Sequence, residues 1–239
     1  MVRVSIITIS YNSILGLRKT VKSVLSQDYR EIEHIIVDGN SVDGSKALIN
    51  DYRDTYLEKG IDLNFISEPD EGIYDAMNKG TKNSSGEYLI YMNSGDIFYS
   101  TKTISNVFNK HLSFEKSVVI YGANIYNNER KNPKSIQSLE KGIIFANHQS
   151  MFFNAKRLGE ELFYNKKYKI YADYELVNRI YLNFGAYSFY CIKEIISVFE
   201  EGGISSTPSY TKRKDKYQIL FRNYGVKGVF KAILFRLGC

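Results

Sequence analysis

Residues 32–43 read IEHIIVDGNSVD. The β-branched run Ile32–Asp38 predicts a strand, and Asp38-Gly39-Asn40-Ser41 is turn chemistry at its end. Upstream, Val2–Ile9 predicts a first strand. Ile14–Ser26 follows as a helix with Leu17, Val21, Val24 and Leu25 on one face. Downstream come a helix over Asp43–Tyr56, a strand over Leu63–Ser67, a helix over Ile73–Lys82 and a strand over Glu87–Met92. Strands alternating with helices at this spacing imply right-handed βαβ units, hence an α/β fold with a mostly parallel sheet. Ligands of such sheets sit beyond the carboxyl ends of the strands. Ser10-Tyr11-Asn12, Asp38-Gly39-Asn40 and Asn93-Ser94-Gly95-Asp96 all fall at that edge.

After Asp96 the pattern loosens. Val118–Tyr126 and Gln149–Phe153 read as strands, Asn127–Pro133 as a polar loop, Asp173–Leu182 as a helix, and Tyr187–Phe199 as a long strand or strand pair. This half continues the same sheet, because no Gly/Ser/Pro linker interrupts it. The best linker is SSTPSYTKRK at 205–214, which divides the chain into a body of residues 1–204, with halves 1–98 and 99–204, and a basic helical tail of 205–239.

The 239 residues are 44% hydrophobic and 24% charged, enough for a sizeable core. No apolar run is long enough for a membrane span, and Met1 leads straight into a strand without a secretory pattern. Two cysteines, Cys191 and Cys239, build neither a disulfide scaffold nor a zinc cage, and they suit a reducing cytoplasm. The net charge of +6 sits almost wholly in the tail. Residues 212–239 carry +7, which leaves −1 for the rest. That distribution argues against nucleic acid as a partner of the whole protein. No two glycines are separated by one residue, so no G-x-G-x-x-G dinucleotide cradle exists, nor is there a Walker A motif.

The polar residues at the strand ends carry two readings each. Asp38 is a turn cap or an acceptor for a base imide N–H. Asp70-Glu71-Gly72, with Asn78 beyond it, is a helix start or a second wall of a nucleotide site. Asn93–Asp96 is a tight turn or a place where Asp96 meets a hard divalent cation. Asp173 is a helix cap or a general base. His148, the one histidine with polar neighbours in sequence, is a structural residue or a ligand.

Taken together, VSIITISYN, IIVDGNSVDGS, EPDEGIYDAMNKGTKNSSGEYLIYMNSGDIF and YADYEL resemble, in order, the motifs of the family 2 glycosyltransferases, most closely the subgroup that builds bacterial O-antigen, capsule or colanic-acid-type polysaccharides. The resemblance implies a single GT-A, Rossmann-like nucleotide-sugar-binding domain. It implies inverting transfer from a nucleotide-sugar, a UDP-sugar above all, to a saccharide or lipid-linked oligosaccharide acceptor. Thr8 and Tyr11 match the uridine-contacting pair, Asp38 the reader of the uracil imide, and Asp70 and Asn78 the lining of the nucleotide-sugar site. Asn93 to Asp96 occupy the DXD position, with Asn93 toward the nucleotide-sugar and Asp96 as the ligand of Mn²⁺ or Mg²⁺. Asp173 matches the catalytic base. Three departures stand out: Asn93 and Gly95 replace acids, Ala172 replaces the usual Glu, and FEEGGISS lacks the histidine that many relatives carry after the base. A donor-binding protein without turnover is the competing reading.

In the tail, Tyr217, Leu220, Phe221 and Tyr224 share a helical stripe, and Val226, Val229, Phe230, Ile233, Leu234 and Leu237 repeat it beyond Gly225. A basic amphipathic helix of this kind either packs on the body or lies on an anionic membrane, which here means the cytoplasmic face of the inner membrane.

Overall fold

The computed structural model describes residues 1–110, 117–199 and 210–237. Its first part runs β1 (Val4–Ser10), α1 (Ile14–Leu25), β2 (Ile32–Asp38), α2 (Ser45–Lys59), β3 (Asp62–Ser67), α3 (Ile73–Lys82) and β4 (Tyr88–Tyr91). β1 lies between β2 and β4, β3 flanks β2, and all three pairings are parallel. Alternate residues go to opposite faces. Ile7, Ile9, Ile35 and Val37 pack into one core cluster, whereas Val4, Ile6, Ile32 and Ile36 meet α1 and α2 in the other. All seven residues of β1 and of β2 are buried, as strands covered on both faces must be.

α2 begins later than the helical pattern suggests, after Gly44 instead of Asp43. The Asp43 carboxylate accepts from Ser45 N and, 2.7 Å away, from Ile14 N, so it serves the starts of two helices.

The second part departs further from expectation. β5 (Ile97–Phe98) and α4 (Thr103–Lys110) follow β4, then β6 (Val119–Tyr126), β7 (Glu129–Lys131), β8 (Met151–Asn154), α5 (Ala155–Leu158), α6 (Ala172–Phe184), β9 (Phe189–Phe199) and α7 (Tyr210–Leu237). The sheet order is β3-β2-β1-β4-β8-β6-β9-β5, with β7 paired to β6. β8 runs antiparallel to both β4 and β6, and β9 is parallel to β6. The stretch read as a polar loop contains β7, because Asn127 and Asn128 both take positive φ (49° and 60°) and close a hairpin. Of the expected strand or strand pair over 187–199, residues 187 and 188 belong to a short 3-10 turn, while residues 189–199 form one strand. A register shift against β6 between Tyr121 and Asn124 absorbs its length.

The first half of the expected linker lies outside the described residues, as do the expected boundary at 204/205 and the FEEGGISS stretch beyond Phe199. Its second half is the first turn of α7. That helix is broken at Gly225 (φ 62°, ψ −158°). Before the break, Ile219 and Leu220 are fully buried, the former in a main core cluster, and Tyr224 Oη donates to Asn178 Oδ1. The stripe is therefore split: Leu220 turns inward while Phe221 is 61% exposed. After the break, Lys231 pairs with Glu140 at 2.8 Å and Lys141 sits 4.9 Å above the Phe235 ring.

Candidate functional site

Parallel register aligns Ser10, Asp38 and Ser67 at one edge. The Asp38 carboxylate is fully buried there. Its Oδ2 accepts from Ser41 N (2.9 Å) and Ser67 Oγ (2.6 Å), while Oδ1 has no partner. Ser10 Oγ, beside it in register, is also buried and unpartnered. A buried acceptor without a donor costs about 1–3 kcal/mol, more when charged, so Oδ1 is an oxygen waiting for an N–H or O–H. Next to it Gly39 lies close under two side chains. A Cβ would come within 2.6 Å of Asp70 Oδ2 and 3.1 Å of Tyr11 Cδ2, which brings Tyr11, Asp70 and the Asp38 turn into one cluster. The Tyr11 ring is 67% exposed. The loops after β1 and β2 are stapled together, since Asn12 N donates to Ser41 Oγ and Val42 N to Asn12 Oδ1.

Two residues expected here are placed elsewhere. Thr8 has even parity on β1 and points into the α1/α2 side of the core. Fully buried, its hydroxyl donates to Met92 O (2.7 Å) and meets His34 Nε2 (2.8 Å). His34 Nδ1 in turn faces Tyr56 Oη at 2.6 Å, and burial depresses the imidazole to about 3. Thr8 thus supports the core and turns no atom to the edge. Asn78 is also spent: its amide donates to Tyr164 O and accepts from Tyr164 N, clamping α3 to the second half.

The end of β4 is built differently. Thr20 Oγ1 on α1 accepts from Gly95 N and donates to Asp96 O, fixing the turn. Asp96 is 9% exposed, and its Oδ2 accepts from Asn93 N (3.1 Å) and Gln149 Nε2 (3.2 Å). Among the described residues no cation pairs with it, and loss of hydration pushes its carboxyl up to about 7. Asn93 Nδ2 lies 3.2 Å from His148 Nε2, so that nitrogen accepts, and burial holds the imidazole down at about 4. Asn93 Oδ1 is buried without a partner. His148, its accepting nitrogen taken by the Asn93 amide, orients Asn93, and Asp96 with Asn93 Oδ1 are a fitting oxygen pair for a hard divalent ion that takes its other ligands from phosphate and water. They are not a self-sufficient cage, since no group of three His, Cys, Asp or Glu side chains suited to a metal occurs among the described residues.

Asp173 lies in the first turn of α6, where its Oδ1 accepts from Tyr174 N at 2.8 Å. It faces a cleft of about 490 Å³ bounded by the 142–147 segment, Asn124, Lys131, Lys134 and, from α7, Lys212 and Lys216. Desolvation lifts its carboxyl to about 6, against the pull of the Tyr174 N–H and of the Lys212 charge. One short strip joins this cleft to the strand ends: Asn147 lines the cleft, His148 touches Asn93, and Gln149 touches Asp96. His148 stands out in the sequence, whereas Asn147, Asn124, Lys212 and Lys216 do not. Only the abrupt NHQ polarity before an apolar strand marks any of them.

Comparison with known proteins follows this geometry. The family model described as Glycosyl transferase family 2 matches residues 5–181. An uncharacterised glycosyltransferase of Mycobacterium tuberculosis is 31% identical over 210 residues, covering 85% of this chain and 77% of its own. The fold is similar to that of Staphylococcus aureus TarS 1–349 in complex with UDP-GlcNAc (TM-score 0.72, 16% identity, 96% of this chain and 70% of that one). In a longer TarS chain the match spans 41% of that protein's length. It is similar also to the Pyrobaculum calidifontis mannosyltransferase PcManGT in complex with GDP-Man and Mn²⁺ (TM-score 0.68, 17% identity, 95% and 64%).

Proposed function

The chain belongs to glycosyl transferase family 2, and from that membership we propose that it transfers a sugar, with inversion, from a UDP-sugar to a hydroxyl of a lipid-linked saccharide in surface-polysaccharide biosynthesis. The observation that carries this reading is the single sheet edge on which Asp38, Asp96 and, through the 147–149 strip, Asp173 are joined.

Asp38 Oδ1 accepts the uracil imide N–H, Tyr11 lies against the base, and Asp70 lines the nucleoside side. Asp96 and Asn93 Oδ1 would hold Mn²⁺ or Mg²⁺, with His148 orienting the Asn93 amide. An ion bound there would neutralise charge developing on the diphosphate leaving group. Asp173 takes the proton from the acceptor hydroxyl. A value near 6 suits this task, because the carboxylate is ionised at neutral pH yet more basic than an exposed aspartate. Complexes of similar folds with UDP-GlcNAc and with GDP-Man and Mn²⁺ support the donor and the cation.

The second half of α7 supports a cytoplasmic, membrane-apposed setting. Val226, Phe230, Ile233 and Leu237 recur at one helical face and are 72, 59, 40 and 71% exposed, while Gly228 and Ala232 are buried. The apolar stripe points away from the body, with Lys227 and Arg236 on its flanks. Such a helix lies in an anionic interface without spanning it, and no described helix is long and apolar enough to span. Co-sedimentation of the full chain with anionic vesicles, lost in Phe230→Ser/Ile233→Ser, checks this. Full chain left in the supernatant overturns it.

The reaction itself is tested by UDP release from a panel of UDP-, GDP- and dTDP-sugars, with thermal stabilisation read in parallel with and without Mn²⁺. Stabilisation by a UDP-sugar without release favours the donor-binding protein that lacks turnover, a reading to which the lone carboxylate of Asp96 lends weight.

A further inference from the structure

The cleft beside Asp173 is basic. Lys131, Lys134, Lys212 and Lys216 line it, and Asp173 is the one acid among its lining residues. Lys131 has an exposed partner in Glu129, whereas Lys134 and Lys216 form no ion pair among the described residues. Lys216 is half-buried and its stem lies against Gly142: a Cβ there would meet Cε at 2.3 Å and Nζ at 3.2 Å. Burial and the nearby Arg236 both push this ammonium's pKa down, so holding its charge is costly unless an anion joins it. In the same wall Asn124 is 3% exposed. Its Oδ1 accepts from Asn147 Nδ2 at 3.3 Å, but its own Nδ2 donates to nothing.

A neutral saccharide could satisfy this buried donor through a hydroxyl oxygen but would leave the lysine charges uncompensated. From their juxtaposition with Asp173 we infer that the cleft takes an acceptor that carries a phosphate group, held by Lys134 and Lys216 while the acceptor hydroxyl lies against Asp173. Lysine suits this role as a mobile point charge for phosphate, and a cleft of about 490 Å³ accommodates a phosphosugar. The inference rests on the glycosyl-transfer reading and names the acceptor class that reading leaves open. The two lysines are positioning residues, one on the 132–135 loop and one on α7, which gives the tail a part in the site independent of any membrane.

Calorimetric titration of full-length protein, saturated with UDP and Mn²⁺, compares an octyl-phosphate-linked hexose with the octyl hexoside that lacks the phosphate. The phosphate probe binds about ten-fold or more tightly, with a preference that falls as salt rises and disappears in Lys134→Gln/Lys216→Gln. Lys134→Gln alone changes an exposed residue and keeps the test valid should the double variant fold poorly. A hexose bearing a terminal phosphate monoester, titrated alongside, separates a lipid-linked acceptor from a phosphorylated saccharide. Equal affinities for the charged and uncharged probes overturn the inference. So does an equal loss of UDP affinity in the lysine variants, which assigns the lysines to the donor diphosphate. In a parallel assay with a UDP-sugar in place of UDP, tight binding of the phosphate probe with no UDP release sinks the transfer reaction and leaves the phosphate site standing. Equal transfer to both probes does the reverse.

Discussion

Asp38 and Asp96 close the strands on either side of β1, and the two carboxylates are held in opposite ways. Asp38 is anchored by a backbone N–H and a serine hydroxyl at one oxygen, with the other left as a bare buried acceptor beside an exposed tyrosine. Asp96 is fixed through a turn that α1 and the 147–149 strip hold, and its carboxyl sits near 7 for want of hydration or a cation. The first end lacks a hydrogen-bond donor for Oδ1. The second is incomplete and needs positive charge. A ligand that brought an N–H to one end and, with a divalent ion, a diphosphate to the other would satisfy both at once, and neither end alone specifies it.

The largest expected effect lies beyond the Asp96 end. Asp173→Asn lowers turnover by about 10²–10⁴-fold while UDP-sugar affinity is kept, as UDP-release kinetics and calorimetry will show. The wild-type rate rises with pH through about 6, as Asp173 ionises, and levels off above. Near-normal turnover in the variant would reduce Asp173 to a cap on α6.

Asp96→Asn sharpens the contrast through metal. It weakens UDP-sugar binding by about 10–100-fold in Mn²⁺ and little in EDTA, because a carboxylate that bridges through the ion matters only when the ion is there. Stability moves the other way. The folded value of about 7 exceeds the ordinary 3.8, so the stability Asp96 contributes is fully present below 3.8 and lost as pH rises through 7. In EDTA at pH 8 the variant is therefore more stable than wild type by ~1–4 kcal/mol, and the gain vanishes below about pH 4. Urea titrations at the two pH values read this directly, and a gain independent of pH would refute the desolvation account.

Asp38→Asn tests the end that lacks a donor. UDP binding weakens about ten-fold in Mn²⁺ and in EDTA alike. A loss confined to Mn²⁺ would mean that the two ends are not independent. The smallest effect belongs to Thr8→Val, which costs ~1 kcal/mol of stability through the broken contacts to His34 and Met92 O and leaves UDP affinity unchanged. A marked loss of UDP affinity would return Thr8 to the nucleotide site.

Much of the first hundred residues was legible because βαβ units write themselves locally. The strand Ile32–Asp38 and the helix Ile73–Lys82 have the predicted bounds, and the polar clusters after β1, β2 and β4 stand at the edge where parallel strands end. Thr8 escaped the same reasoning because period-2 alternation sends it to the core face, where its neighbours are distant in sequence. Asn78 was matched by motif, but its amide is occupied by a backbone segment 86 residues away.

The sequence by itself determined the parallel half: which runs are strands, where their carboxyl ends lie, and that Asp38 and Asp96 stand there, since hydrophobic periodicity and turn residues act over a few positions. Tertiary structure alone decided what those ends face. It inserted β8 antiparallel between β4 and β6, which carries Asn147, His148 and Gln149 from Asp173 to Asp96. It also folded α7 back so that Lys216 enters the cleft and the apolar stripe of its second half turns outward. The physical reason is that antiparallel insertion, helix docking and the desolvation of a carboxylate all depend on groups tens of residues apart, whose contacts leave no period in the chain.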